Sequence, residues 1–183
     1  MSRFRRMVFT AALSCATTAV SAQDWQLVKD EEGIQVYLAT VPGSSYKAYR
    51  GVTTIKASIE RLRSLQEDVL TSCQWIFQCQ EQKMLKSEGA QSWMYSRFST
   101  PWPVAPRDSV LHITTSVAAD GTLRRQIQAL PDYVPVRDGL VRVSRVDGYW
   151  SLTPKLGGVV EVVYEAHTEP GGSVPSASIE VSR

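Results

Sequence analysis

Short segments of alternating apolar and polar residues, separated by turn-forming residues, follow one another along most of this chain of 183 residues. In the first of them, Ile34, Val36 and Leu38 alternate with the residues between them. Such alternation indicates strands with one buried face. Because the segments are close in sequence, they predict an antiparallel sheet. Nine strands are expected, over residues 34–39, 46–55, 75–85, 92–98, 109–117, 123–130, 140–146, 149–153 and 159–168.

One segment has helical periodicity instead. The hydroxyl of Ser58 can accept a hydrogen bond from a first-turn amide. Ile59, Leu62 and Val69 then form an apolar stripe, and the helix is expected to stop near Leu70. A single helix packed on one face of an antiparallel sheet is an α+β architecture. Turns between strands are expected at residues 42–45, 120–121, 147–148 and 157–158.

The first 22 residues have the pattern of a secretory signal peptide. Three arginines precede an uncharged stretch over 7–23, and the small residues 20–22 suit a signal peptidase. We expect cleavage before Gln23, export to the periplasm or the extracellular space, and one domain over 23–183. One alternative is a membrane anchor, although the 17 uncharged residues fall short of the roughly 20 that a spanning helix needs. The other alternative is a lipoprotein acylated at Cys15.

Without this leader the chain loses its apparent basicity. It has 20 basic and 18 acidic residues, and the leader holds three arginines and no acidic residue. The remaining chain therefore has 17 basic against 18 acidic residues. No net positive field is left to bind nucleic acid over a large surface, and no nucleic-acid partner is expected.

Two cysteines remain after the leader, Cys73 and Cys79. In an oxidising compartment they can form a disulfide, and the alternative is two buried free thiols. With only His112 and His167 elsewhere, no metal site and no cofactor are expected.

The charged residues of the strands suggest no catalytic centre. Arg107 and Asp108 are adjacent on a predicted strand and so point to opposite faces, which indicates structural roles. His167 shares a face with Glu165 and Glu161. That alternation could hold a metal or a proton, but it is typical of the solvated face of an antiparallel sheet.

Several motifs occur in a fixed order between residues 24 and 175. They comprise Asp24-Trp25, residues 32–37, Tyr49-Arg50-Gly51, Pro101-Trp102-Pro103, Pro106-Arg107-Asp108, Gly139-Leu140-Val141-Arg142, Gly148-Tyr149-Trp150 and residues 169–175. In this order they resemble the bacterial exported type of START (StAR-related lipid transfer) domain. The resemblance implies a helix-grip fold, in which a curved antiparallel sheet wraps a C-terminal helix around an apolar tunnel. It also implies a non-catalytic carrier of a lipid, sterol or other apolar ligand.

The same resemblance identifies a candidate binding face. It places Ile113 on the tunnel wall, and strand alternation adds neighbours on three strands. Sterol-carrying relatives have an acidic residue and an arginine near the positions of Met94 and Ile113, so a more apolar tunnel is implied here. The alternative is an ordinary packed core. The candidate ligand-binding residues are Met94, Ser96, Phe98, Leu111, Ile113, Thr115 and Ile127, with Leu123 and Ala129 on the same face.

The resemblance further implies a rim for the tunnel. Trp102, between two prolines, would enter a membrane interface during transient contact or fold back over the sheet edge.

Only eight residues follow Pro175, where the START family has its long C-terminal helix. We therefore expect a truncated domain without the grip helix. Met94, Phe98, Leu111, Ile113 and Ile127 would then face water or find another cover, and an uncovered groove would favour self-association. Two rival functions follow: an enzyme of the related cyclase and hydratase branch, or a remnant that binds no ligand.

Overall fold

A computed structural model describes residues 23–172 of the chain. These residues form one α-helix, one short 3-10 helix and ten strands. The expected leader (1–22) and the expected loss of a C-terminal helix after Pro175 lie outside the described residues. The elements are β1 (Gln26–Glu31), β2 (Ile34–Ala39), β3 (Ala48–Ile55), α1 (Ile59–Glu67), a 3-10 turn (Ser72–Gln74), β4 (Cys79–Glu88), β5 (Gln91–Phe98), β6 (Arg107–Val117), β7 (Leu123–Ala129), β8 (Val141–Arg142), β9 (Arg145–Lys155) and β10 (Val159–Glu169).

The strands form a single curved sheet in the order β1-β2-β3-β10-β9-β7-β6-β5-β4. Every neighbouring pair along this path is antiparallel. The two-residue strand β8 lies off the path and pairs in parallel with β6. The predicted α+β architecture with an antiparallel sheet is confirmed.

The helix α1 begins as the sequence predicts. The hydroxyl of Ser58 accepts a hydrogen bond from the Arg61 amide at 3.2 Å. The helix ends at Glu67 rather than near Leu70, because the Asp68 carboxylate accepts hydrogen bonds from the amides of the next residues and starts a turn. On its sheet side, α1 places two apolar side chains against a cluster of Leu123, Leu152, Val160 and Val162.

At the edges of the sheet, the structure has one strand that was not predicted and one strand that begins later than predicted. Strand β1 was not expected, because Lys29, Asp30 and Glu31 break its apolar alternation. The strand predicted over 75–85 begins only at Cys79. The backbone before it is bent instead into the 3-10 turn and the residues that follow it.

The turn predicted at residues 147–148 is wrong, because both residues lie inside β9. A Cβ atom on Gly148 would lie 2.4 Å from the carbonyl oxygen of Glu165 and 2.6 Å from the Cβ of Ala166. Glycine is therefore required by the close approach of β10 and not by a turn. The strand predicted over 140–146 correspondingly shrinks to β8 and the first residues of β9.

A second packed region lies on the opposite side of the sheet. There the segment between β7 and β9 crosses over β5 and β6 and buries Tyr95, Asp108 and Val110. The ring of Tyr95 also contacts the guanidinium of Arg137, 4.3 Å from the ring centroid. This side of β5 and β6 is thus covered by protein.

Candidate functional site

The seven candidate ligand-binding residues lie on one face of the sheet. Residues directly opposite each other on antiparallel strands project to the same side. Met94 is opposite Leu111, and Ile113 is opposite Ile127. This face also carries the cluster on which α1 packs. We call it the inner face; its candidate residues are Met94, Ser96 and Phe98 on β5, Leu111, Ile113 and Thr115 on β6, and Ile127 on β7.

The inner face is buried at its centre and partly exposed around it. Ile113 and Ile127 are only 5% and 7% exposed. Met94, Phe98 and Leu111 are half-buried. Ile113 and Ile127 are direct partners on adjacent strands.

Aromatic side chains extend the inner face beyond the predicted residues. The ring of Trp150 stacks on that of Tyr164 with a centroid distance of 4.3 Å. The hydroxyl oxygens of Tyr164 and Tyr49 are 3.3 Å apart. Burial, with the neighbouring Tyr49, raises the pKa of Tyr164 well above its usual value. The sequence reasoning stopped at the three strands around Ile113 and missed these aromatics on β3, β9 and β10.

Arg125 is a second residue that the sequence reasoning missed. It lies on the inner face between Leu123 and Ile127 and is only 6% exposed. The alternation that selected Ile127 also selects position 125, so the signal was present in the sequence. Burial lowers the pKa of the Arg125 guanidinium. A buried cation therefore lies among the apolar and aromatic side chains of this face.

Ser96 is fully buried opposite Ser109 on the inner face. Within residues 23–172 its hydroxyl has no hydrogen-bond partner. Small-molecule sites typically have a few polar groups of this kind on an apolar face, and these groups set the orientation of the ligand.

The opposite side of the sheet, the outer face, is polar. Glu165 accepts hydrogen bonds from Arg50 at 2.8 Å and from the Tyr149 hydroxyl at 2.9 Å. Glu161 pairs with Lys155 at 3.0 Å. Each carboxylate thus has its own partner, and in the described part of the chain no group of three His, Cys, Asp or Glu is arranged to hold a metal ion.

His167 departs from this solvated pattern because it is buried beside Ser44 and Glu169. The Ser44 hydroxyl donates to a Glu169 carboxylate oxygen at 2.6 Å. The single proton of the Ser44 hydroxyl is thus directed at Glu169. Nε2 of His167 lies 3.0 Å from Ser44 Oγ and is therefore the donor in their hydrogen bond. An imidazole that donates to a serine cannot act as its general base, and this trio does not resemble an activated nucleophile.

His112 also lies on the outer face, but it is not freely solvated. Its ring stacks on Trp93 at 4.6 Å, and its Nε2 is 2.8 Å from the side-chain oxygen of Gln91. Asp108 on the same strand forms a structural ion pair, with Arg142 rather than with the adjacent Arg107. Arg107 itself points to the inner side, where its guanidinium donates to the carbonyl of Ala105.

Cys73 and Cys79 form a disulfide in the structure, with their Cα atoms 4.8 Å apart. The bond joins the 3-10 turn to the first residue of β4. On the neighbouring loop between β5 and β6, Trp102 is 92% exposed. Trp102 is therefore not folded back over the sheet edge.

Two surface pockets lie away from the candidate residues. One of about 330 Å³ is on the outer face, near Arg124, Tyr149 and His167. The other, of about 170 Å³, lies at the start of β1, near Asp24 and Lys47. Both are lined largely by polar groups, so neither suits an apolar ligand as the inner face does.

Comparisons with known proteins agree with this fold. The START domain family matches residues 10–182. The uncharacterized protein PA1579 of Pseudomonas aeruginosa is 52% identical over 172 residues, which are 94% of this chain and 85% of that protein.

Solved structures give the same result. A STAR-related lipid transfer protein fragment from Xanthomonas axonopodis is similar with a TM-score of 0.78 and 39% identity, covering 83% of this chain and 85% of that one. Human STARD10 shares the fold, with a TM-score of 0.74 and 17% identity over 85% of this chain and 64% of its own. The predicted family and helix-grip fold class are confirmed: this chain belongs to the START domain family.

Proposed function

We propose that this protein binds an apolar or amphipathic ligand, such as a lipid or sterol, on the inner face and carries it through water without changing it chemically. The observation that carries the proposal is the number of apolar and aromatic side chains that this face brings together around the buried Arg125. Apolar residues from β5, β6 and β7 adjoin the Trp150–Tyr164 stack. Burial of apolar surface supplies about 25 cal/mol per Å², so a face of this kind can bind without strong polar contacts.

The side chains of the inner face support carriage rather than catalysis. Strands β5, β6, β7, β9 and β10 present no carboxylate, imidazole or thiol on that side. These groups are the commonest general acids and bases, and a hydroxyl such as that of Ser96 usually needs one of them beside it to act as a nucleophile.

We also propose that the protein works in the periplasm or outside the cell, after removal of the leader pattern in residues 1–22. In the described residues no helix is long and apolar enough to cross a membrane. Trp102 supports a transient membrane contact during ligand exchange, because its exposed indole suits the interface between lipid and water.

A matched pair of variants tests the binding face. Leu111 on the inner face and Val163 on the outer face are both half-buried apolar strand residues. We expect Leu111→Gln to weaken binding of a fluorescent fatty acid at least about tenfold, since it puts an amide in contact with the ligand. Val163→Gln should leave binding unchanged. Equal effects of the two variants would contradict a site on the inner face.

A further inference from the structure

Arg125 is a buried cation without an acidic partner in the described residues. Its Nη1 donates one hydrogen bond, to the side-chain oxygen of Gln66 on α1 at 3.3 Å. Its Nε has no partner anywhere in residues 23–172. A buried guanidinium normally has a carboxylate or several acceptors, because an uncompensated buried charge is strongly unfavourable.

The nearest acidic residue does not fill this role. Glu67 acts on Arg125 electrostatically, but its carboxylate pairs with Arg63 at 2.9 Å, and Arg63 repels Arg125. Directly across on the neighbouring strands, Arg125 faces Thr115 and Trp150. A hydroxyl and an aromatic ring leave the positive charge unbalanced.

We propose that Arg125 binds the anionic end of an amphipathic ligand, a carboxylate or a phosphate, whose tail lies along the inner face. This inference rests on the proposed function and names its ligand class. A guanidinium is the side chain best matched to such groups, since its parallel N–H donors contact two oxygens at once. The amide oxygen of Gln66 then occupies a position that a ligand oxygen can take.

To one side of Arg125, the inner face is long enough for the tail. From Thr115, opposite Arg125, strand β6 runs through Ile113 and Leu111 to Arg107, opposite Phe98. These eight steps span about 26 Å, more than the roughly 15 Å that one acyl chain spans in a bilayer leaflet. On the other side, α1 contacts Arg125 through the side chain of Gln66.

The test compares anionic ligands with neutral counterparts of the same tail. Binding of hexadecanoic acid and its methyl ester, and of phosphatidic acid and diacylglycerol, is measured by displacement of a fluorescent probe. The wild-type protein should bind one or both anionic ligands about tenfold more tightly than the neutral counterparts, because one hydrogen bond to a charged group contributes about this much to affinity. Which of the two pairs shows the preference separates a carboxylate from a phosphate.

Variants then assign the preference to Arg125. Arg125→Gln should bind both members of a pair equally, and Arg125→Lys, which keeps the charge, should retain part of the preference. Arg124→Gln is the matched control, because Arg124 is adjacent in sequence but lies over Tyr149 on the outer face. Thermal unfolding should show Arg125→Gln at least as stable as the wild type, because a buried unpaired charge is removed.

Three results would overturn the proposal. They are the absence of any anionic preference in the wild type, its persistence in Arg125→Gln, and a marked loss of stability in Arg125→Gln, which would give Arg125 a structural role. If the neutral ligands bind, the proposed function stands without the anchor. If no ligand of either pair binds, both proposals fail.

Discussion

The guanidinium of Arg142 donates two parallel hydrogen bonds to the carboxylate of Asp108, at 2.8 and 2.9 Å. Both side chains are buried in the outer face. The same guanidinium donates to the carbonyls of Pro131, Val134 and Pro135. One side chain thus fixes the segment between β7 and β8 against β6 and satisfies five acceptors.

Removing Arg142 should therefore destabilise the whole domain. We expect Arg142→Ala to lower the free energy of unfolding by about 3–5 kcal/mol, because Asp108 remains buried without its partner. Urea unfolding followed by circular dichroism measures the change. The control is Arg145→Ala, which breaks an exposed pair with Asp147 and should cost less than about 1 kcal/mol. Similar losses for the two variants would refute the structural role of the buried pair.

Gly148 and Gly51 lie on the two strands that flank β10, and they differ in the space that is open to an added side chain. An added Cβ at Gly148 meets the backbone of β10 at 2.4 Å, whereas one at Gly51 meets nothing within 4 Å. We expect Gly148→Ala to destabilise the protein by about 1–3 kcal/mol, as overpacking does. Gly51→Ala should change stability by less than about 0.5 kcal/mol. Chemical unfolding of both variants checks this, and a tolerated alanine at 148 would show that β10 is not so close.

The Cys73–Cys79 bond should be present in exported protein but contribute modestly. Its loop is short, with a sequence separation of six residues, so it restricts the unfolded chain little. We expect the double variant Cys73→Ser, Cys79→Ser to have a free energy of unfolding lower by on the order of 1–2 kcal/mol. Thiol titration of denatured, unreduced protein should find no free thiol after residue 23. Two free thiols would contradict the bond.

Trp102 should contribute to membrane contact and not to the fold. It is 92% exposed, and Leu156, 98% exposed, lies in the turn at the opposite end of the sheet. In a vesicle sedimentation assay, Trp102→Ser should reduce the bound fraction severalfold, since indole favours the lipid interface. Leu156→Ser should leave it unchanged. If both variants bind vesicles like the wild type, contact occurs through another surface.

Much of the sheet could be predicted from the sequence because period-2 alternation reports directly on which side chains are buried. The family resemblance placed Ile113 on the tunnel wall, alternation added Met94, Leu111 and Ile127 to that face, and the pairing of β5, β6 and β7 agrees. The turn prediction failed at Gly148, because the need for glycine there comes from β10, a strand that is not adjacent to it in sequence.

The polar features of the site were harder to predict from the sequence, for a related reason. The partner of Asp108 depends on where β8 docks, and the burial of Arg125 depends on α1 crossing the inner face. Neither relation is local in sequence. Alternation alone shows that Arg125 lies among apolar neighbours, but not that its nearest carboxylate is already paired with Arg63.

The central claim is that the inner face holds an apolar or amphipathic ligand. The most direct measurement is native mass spectrometry of protein exported from a bacterial host and purified without detergent, followed by organic extraction of the same sample. We predict a one-to-one complex whose extracted ligand has an acyl or sterol-like apolar part, and a much smaller bound fraction for Leu111→Gln. Wild-type protein that is folded but empty, and that stays empty after incubation with lipid vesicles, would contradict the claim.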